Sequence, residues 1–143
     1  MISIDTNVLL YGLNRDCPEH PRAREFLQTC SERADVAIAE LVLVELYQLL
    51  RNPTVLPRPL DAPDAAAACQ RFRSHPRWAL IENAPAMSEV WKLAARRDCP
   101  RRHLFDARIG LTLRHHGVGE LATRNVRDFE GLGFERVFDP LEG

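Results

Sequence analysis

Short apolar runs alternate with longer amphipathic stretches along the whole chain. Ile2-Ser3-Ile4 reads as a short strand, and Val8-Leu9-Leu10-Tyr11 opens a helix behind Asp5-Thr6-Asn7, each of which can cap a helix start. From Glu19 to Arg33, Ala23, Phe26, Leu27 and Cys30 recur at intervals of three and four, the period of a helix with one buried face. Val36-Ala37-Ile38 predicts a buried strand and Glu40 to Arg51 a further helix, stopped by Asn52-Pro53. Pro53 to Pro63 holds four of the ten prolines and is expected to be an ordered loop. Asp61 then opens an Ala-rich helix to about Arg73.

The second half repeats the alternation. Trp78 to Ile81 predicts a strand, and Ala86 to Arg96 a helix with Val90, Trp91, Leu93 and Ala94 on one side. After Pro100, His103 to His116 is helical and closes on Gly117. Glu120 to Thr123 is a strand, Val126 to Leu132 a short helical turn, and Glu135 to Phe138 a last strand. Strands separated by helices imply an α/β fold, a central and mainly parallel sheet flanked by helices in three layers. In such sheets ligands bind outside the carboxyl ends of the strands.

Composition narrows the class. At 143 residues, 45% apolar and 27% charged, the chain is expected to form a single domain over 1–143 with an ordinary core. The longest apolar run, Leu41 to Val44, is far short of a membrane span, and Met1 to Asp5 lacks the features of a signal peptide. Cys17, Cys30, Cys69 and Cys99 lie too far apart for a zinc or redox motif and read as reduced thiols in a cytoplasmic protein. The formal charge of −1 gives no hint of a nucleic-acid partner, yet eighteen of the nineteen basic residues are arginine. Arginine is the better bidentate phosphate ligand, although a compositional bias explains the same count.

Four carboxylates stand where chemistry is expected. Asp5 follows the first strand, and Asp128 follows a later strand at the same edge of the sheet. Taken singly, Asp5 is also a plain N-cap and Asp128 the partner of Asn125 in a capping-box-like turn. Glu45 projects from a helix face whose neighbours are Leu41, Val42 and Leu49, so burying it demands a partner or a metal; a helix edge turned to solvent or an arginine pair serves equally. Asp106 falls in the first turns of its helix, where an acid complements the macrodipole. Gly110, four residues on, leaves that flank uncrowded for a substrate or ion. Together the four suggest hard oxygen ligands for Mg²⁺ or Mn²⁺, which can activate water for in-line attack on a phosphodiester.

Ile4-Asp5-Thr6-Asn7-Val8-Leu9, Glu45, Phe105-Asp106-Ala107-Arg108-Ile109 and Thr123-Arg124-Asn125-Val126-Arg127-Asp128-Phe129 together resemble a PIN domain. Their order and spacing are similar to the VapC toxins of type II toxin–antitoxin systems. Leu50-Arg51-Asn52-Pro53 and Ser74-His75-Pro76-Arg77-Trp78 resemble a VapC branch abundant in mycobacteria. The resemblance implies a PIN-like fold and a Mg²⁺- or Mn²⁺-dependent endoribonuclease that leaves a 5′-phosphate and a 3′-hydroxyl. It implies Asp5 and Asp106 as main metal ligands, with Glu45 and Asp128 completing the site directly or through water. Thr6, Asn7, Thr123 and Asn125 match the polar shell around those ligands. It further implies an RNA substrate, a VapB-type antitoxin that inserts a C-terminal segment into the site, and a homodimer.

Arg101, Arg102, Arg124 and Arg127 flank the acidic motifs as candidate holders of RNA phosphates. Arg108 departs from the small aliphatic residue many relatives carry and points to another helix face. His115-His116 reads as a cation pair at a helix C-terminus, and the 53–63 loop as a connector or a substrate or dimer element. Setting the four acids aside turns the charge of −1 into +3, an acidic pocket within a basic rim. Phosphatase and receiver domains also carry an acid after the first strand. The former want a second acid where Asn7 stands, and the latter a lysine near the sheet end, whereas Lys92, the only lysine, lies in a helix. An RNA-processing nuclease without a toxin role, or a PIN-shaped module without catalysis, remains open at this stage.

Overall fold

Ile2 lies opposite Val36 on one side and Glu120 on the other, so the first strand occupies the centre of its sheet. The computed structural model describes residues 1–142. Strands β1 (Ile2–Ile4), β2 (Val36–Ala39), β3 (Ala79–Ile81), β4 (Glu120–Ala122) and β5 (Arg136–Phe138) align in the order β3-β2-β1-β4-β5. Every neighbouring pair is parallel, as helical crossovers between successive strands require. The chain builds outward from β1 to β3, then returns to β1 with β4. That reversal opens a crevice between the carboxyl ends of β1 and β4, where parallel sheets place their ligands.

Among the described residues seven helices flank the sheet: α1 (Thr6–Leu13), α2 (His20–Ser31), α3 (Glu40–Leu50), α4 (Ala62–Arg73), α5 (Met87–Ala94), α6 (His103–His115) and α7 (Val126–Phe129). Helices α1 to α4 pack on one another, and α5 to α7 form a second packed group. Successive residues of β1 and β2 are all buried, although neighbouring side chains point to opposite faces. Both faces of the sheet centre are therefore covered. The central core joins Ile2, Ile4 and Leu121 of the sheet to Leu9 of α1, Leu46 of α3 and Leu113 of α6, all almost fully buried.

Local chemistry sets the helix ends that carry the site. Asp5 adopts an extended conformation, and its side chain accepts a hydrogen bond from the Thr6 N–H, so α1 begins directly at the end of β1. Asp61 caps α4 through the Asp64 N–H, and Pro63 lies in its first turn. The irregular segment therefore stops at Asp61 rather than Pro63. It is ordered onto the body of the protein by buried Leu56, by the Leu60 N–H to Leu50 carbonyl bond and by the Arg58–Asp16 ion pair.

Three details differ from the sequence reading. Asn125 precedes α7 but makes no side-chain cap; only its carbonyl accepts the Asp128 N–H. The helix there is a single turn ending at Phe129, because Gly131 and Gly133 take positive φ and turn the chain toward β5. Gly110 does not leave an open flank. A Cβ at this position would lie 2.6 Å from Leu132 Cδ1 and 3.4–3.5 Å from the Phe134 and Phe129 rings. The glycine lets α6 approach the α7–β5 connection closely, which is a packing role. Of the two histidines ending α6, His116 bonds the Asn83 carbonyl and stands edge-on to His115.

Candidate active site

The site is built outward from the end of β1. Asp5 is only 6% exposed, yet both of its oxygens are satisfied: Oδ1 by the Thr6 N–H at 2.8 Å and Oδ2 by the Thr123 hydroxyl at 2.7 Å. Thr123 directly follows β4, and the register that sets Ile4 beside Ala122 brings its hydroxyl to Asp5. The same Thr123 oxygen accepts the Asn125 N–H, and the Asn7 side chain accepts the Arg124 N–H. Residues 5–7 and 123–125 are thus tied together across the crevice.

Glu45 reaches this point from the middle of α3. It is half-buried, and Oε2 accepts the Thr6 hydroxyl at 3.0 Å. Thr6 therefore contacts two acids, Asp5 by its N–H and Glu45 by its hydroxyl. No arginine pairs with Glu45 among the described residues.

Asp106 in α6 and Asp128 in α7 complete the set. Glu45, Asp106 and Asp128 line one open cleft of about 560 Å³, together with Pro100, Arg101, Arg102, His103, Phe105 and Asn125. Asp5 lies behind them, within electrostatic reach of Asp106, Asp128 and Glu45.

The carboxylates strain against one another. Burial, followed by repulsion from Asp128, Asp5 and Glu45, pushes Asp106 up to about 7. Burial also raises Asp5, against the opposing pull of its Thr123 and Thr6 hydrogen bonds, and repulsion from Asp128 adds to the rise. Glu45 is raised by burial and by Asp5, with the Thr6 hydroxyl acting in the opposite direction. No cation of the protein contributes to any of these shifts. Among the described residues none of the four acids is ion-paired, and a half-buried to buried group of acids of this kind suits a divalent ion, which supplies the missing charge.

The spacing bears on which ion. Among the described residues, no three His, Cys, Asp or Glu side chains are drawn together closely enough to cage a metal. Mg²⁺ does not need a cage: it keeps several waters and takes one or two carboxylates along with substrate phosphate. The acid-only donor set and the open cleft fit that habit.

The four candidate arginines fall in three places. Arg101 and Arg102, exposed residues just before α6, line the carboxylate cleft. Arg127 lines an adjoining hollow with Arg96, His103 and Asp128. Arg124 is turned instead to Asp139, paired at 2.7 Å with a carboxylate that is only 12% exposed. Arg108 is exposed and lines none of these surfaces. Sequence reasoning passed over Phe105 and His103, which the cleft includes. A signal for Phe105 existed: at helical spacing its neighbours are Arg101, Arg102 and Arg108, so an aromatic ring stands in a basic stripe.

Residues 2–135 match the PIN domain family. The chain is 65% identical over 141 residues to Ribonuclease VapC24 of two Mycobacterium tuberculosis strains, CDC 1551/Oshkosh and ATCC 25618/H37Rv, an alignment covering 99% of this chain and 97% of the relative. This chain is a PIN-domain protein of the VapC family. Its fold recurs in the crystal structure of M. tuberculosis VapC20, described as a sarcin-ricin loop cleaving toxin, with a TM-score of 0.70, 21% identity and 94% and 96% of the two chains covered. FitAcB from Neisseria gonorrhoeae aligns over 100% of both chains with a TM-score of 0.66 and 20% identity. Likeness at that identity speaks for the PIN architecture alone, and within it the VapC chain presents its acids at the β1–β4 crevice.

Proposed function

We propose that this protein is the ribonuclease toxin of a type II toxin–antitoxin system, hydrolysing RNA phosphodiester bonds at the cleft lined by Glu45, Asp106 and Asp128, with Asp5 behind them. The observation that carries the reading is the set of mutually repelling carboxylates, none of them ion-paired among the described residues, at the topological switch point of the sheet. Full-length identity of 65% to Ribonuclease VapC24 supports the activity.

Asp5 and Asp106 are assigned as the principal holders of Mg²⁺ or Mn²⁺, with Glu45 and Asp128 acting directly or through water. When bound, the ion neutralises the acids, activates water and stabilises charge at the phosphorus under attack. The chain's own groups prepare for it. Thr123 and the Thr6 N–H fix both oxygens of Asp5 and favour its ionised form. The Thr6 hydroxyl holds Glu45 toward the same point. Asn7 and Asn125 set the backbone that presents Thr123 and Asp128. Arg101 and Arg102, at the cleft, hold phosphates of the RNA strand, and Arg127 extends that rim. The products expected are a 5′-phosphate and a 3′-hydroxyl.

Membership of the VapC family supports a VapB-type antitoxin and a homodimer as partners. No helix among the described residues is long and apolar enough to cross a membrane, and four free thiols suit a cytoplasmic setting. The test is cleavage of RNA by purified protein with Mg²⁺ or Mn²⁺, halted by chelator and by Asp5→Asn. Cutting that continues in excess chelator refutes the metal assignment. A small open reading frame directly upstream that encodes a DNA-binding protein, and that suppresses toxicity when co-expressed, is the expected finding; its absence counts against the toxin reading.

A further inference from the structure

Phe105 is the one exposed phenylalanine of the six, with 64% of its surface in water. Among the described residues its ring has no aromatic or cationic partner, whereas Phe26, Phe72, Phe134 and Phe138 each stand against an aromatic ring, a cation or the core. An apolar ring held in water forgoes the free energy that folding gains by burying it. It stands next to Asp106 on the first turn of α6, in a cleft otherwise lined mainly by acids, Arg101, Arg102 and other polar groups. The acids and arginines account for a phosphodiester, and Phe105 is the phenyl ring in the cleft on which a base can stack.

We propose that Phe105 is a stacking platform for an unpaired base beside the scissile phosphate, so that the substrate strand is single-stranded where it is cut. This rests on the nuclease reading above and adds the residue that holds the base next to the phosphate. A flat ring beside phosphate-binding arginines is the arrangement by which proteins hold single strands. Bases of a duplex are already stacked on one another and offer no free face, so the platform selects loops, bulges and ends. Stacking depends on the π-face every base possesses, so Phe105 contributes affinity and position with little choice among the four bases. Phe105 is thereby a positioning residue for the strand, distinct from the acids that act on the phosphate.

The test compares wild type, Phe105→Trp and Phe105→Leu, the last keeping an apolar side chain without a π-face. The probe is a single-stranded oligoribonucleotide carrying 2-aminopurine, bound to the full chain in chelator so that no cutting occurs. Wild type and Phe105→Trp are expected to quench the 2-aminopurine fluorescence, and Phe105→Leu to lose the quench and weaken binding roughly ten- to a hundred-fold. With Mg²⁺, Phe105→Leu is expected to raise KM for single-stranded RNA. Annealing a complementary strand is expected to abolish the difference between the variants. Equal quench and affinity in wild type and Phe105→Leu overturn the platform while leaving the nuclease reading intact. So does a Phe105→Leu protein that binds RNA normally but sediments as a smaller species, which assigns the ring to contact between two copies of the chain. Wild type that neither binds nor cuts any RNA overturns the nuclease reading itself, and the platform with it.

Discussion

Thr123 donates its hydroxyl hydrogen to Asp5 Oδ2 at 2.7 Å, linking residues 118 positions apart at the ends of two adjacent parallel strands. Burial drives Asp5 toward its neutral form, and this bond opposes that drive. Thr123→Val is therefore expected to raise the Asp5 pKa further and loosen its hold on a metal. Supporting partners of this kind are worth about 10–100-fold in metal affinity or activity. Titrating Mg²⁺ against cleavage rate measures the effect, and Thr123→Ser, which keeps the hydroxyl, should restore most of it. Equal Mg²⁺ dependence in Thr123→Val and wild type sinks the assignment.

Asp106 gives a pH dependence of definite sign. Its carboxyl stands near 7 in the folded protein against 3.8 ordinarily, so the fold binds this proton more tightly than the unfolded chain does. The stability this group contributes is complete below about 4 and is lost as pH rises through about 7. In chelator, wild type should melt lower at pH 8 than at pH 5 relative to Asp106→Asn, which lacks the titrating group. Asp106→Asn is also expected to be inactive and, at pH 8, more thermostable than metal-free wild type. Thermal denaturation of both proteins across that range checks the sign; parallel curves refute it.

Metal should reverse that loss. A cation among ionised acids binds the fold and not the unfolded chain, so it stabilises by mass action. Saturating Mg²⁺ is expected to raise the melting temperature more at pH 8 than at pH 5, where Asp106 holds its proton. An equal rise at both pH values places the ion elsewhere.

The arginines separate by salt dependence. Loss of one phosphate contact to single-stranded RNA lowers the slope of log affinity against log salt by roughly 0.7. Arg101→Ala and Arg102→Ala should each do so. Arg124→Ala should leave the slope unchanged and affect stability instead, because its guanidinium is engaged by Asp139. Binding measured between low and moderate salt distinguishes the two groups.

Gly110 tests the packing account of α6. Alanine is a better helix former by about 1 kcal/mol, and the nearest obstruction is the mobile end of Leu132. Gly110→Ala is expected to change stability by less than about 1 kcal/mol. Gly110→Leu must displace the Phe129 and Phe134 rings as well, and overpacking of this sort costs roughly 1–3 kcal/mol. Denaturant unfolding reads both, and a fully stable Gly110→Leu refutes the close approach.

The order of strands and helices was legible in the chain because each element carries its own period. Ile2-Ser3-Ile4 and Val36-Ala37-Ile38 are buried strands in the structure, and the amphipathic stretches between strands are helices within a few residues of the expected limits. Asp5, Glu45, Asp106 and Asp128 could be picked out as candidates because Asp5 and Asp128 follow strands, Glu45 interrupts an apolar helix face, and all four fall in motifs that resemble a PIN domain. Sequence alone did not decide what those residues touch. Gly110 looked like room for a ligand and is a packing contact, since only the fold brings Leu132 against it. Arg124 and Arg101 are alike as letters, yet one is turned to Asp139 and the other lines the cleft. The exposure of Phe105 and the elevation of Asp106 to about 7 likewise depend on distant segments. Periodicity is a local property of the chain; repulsion among acids at the end of β1 and in α3, α6 and α7 exists only once the strand order reverses at β1 and brings them together.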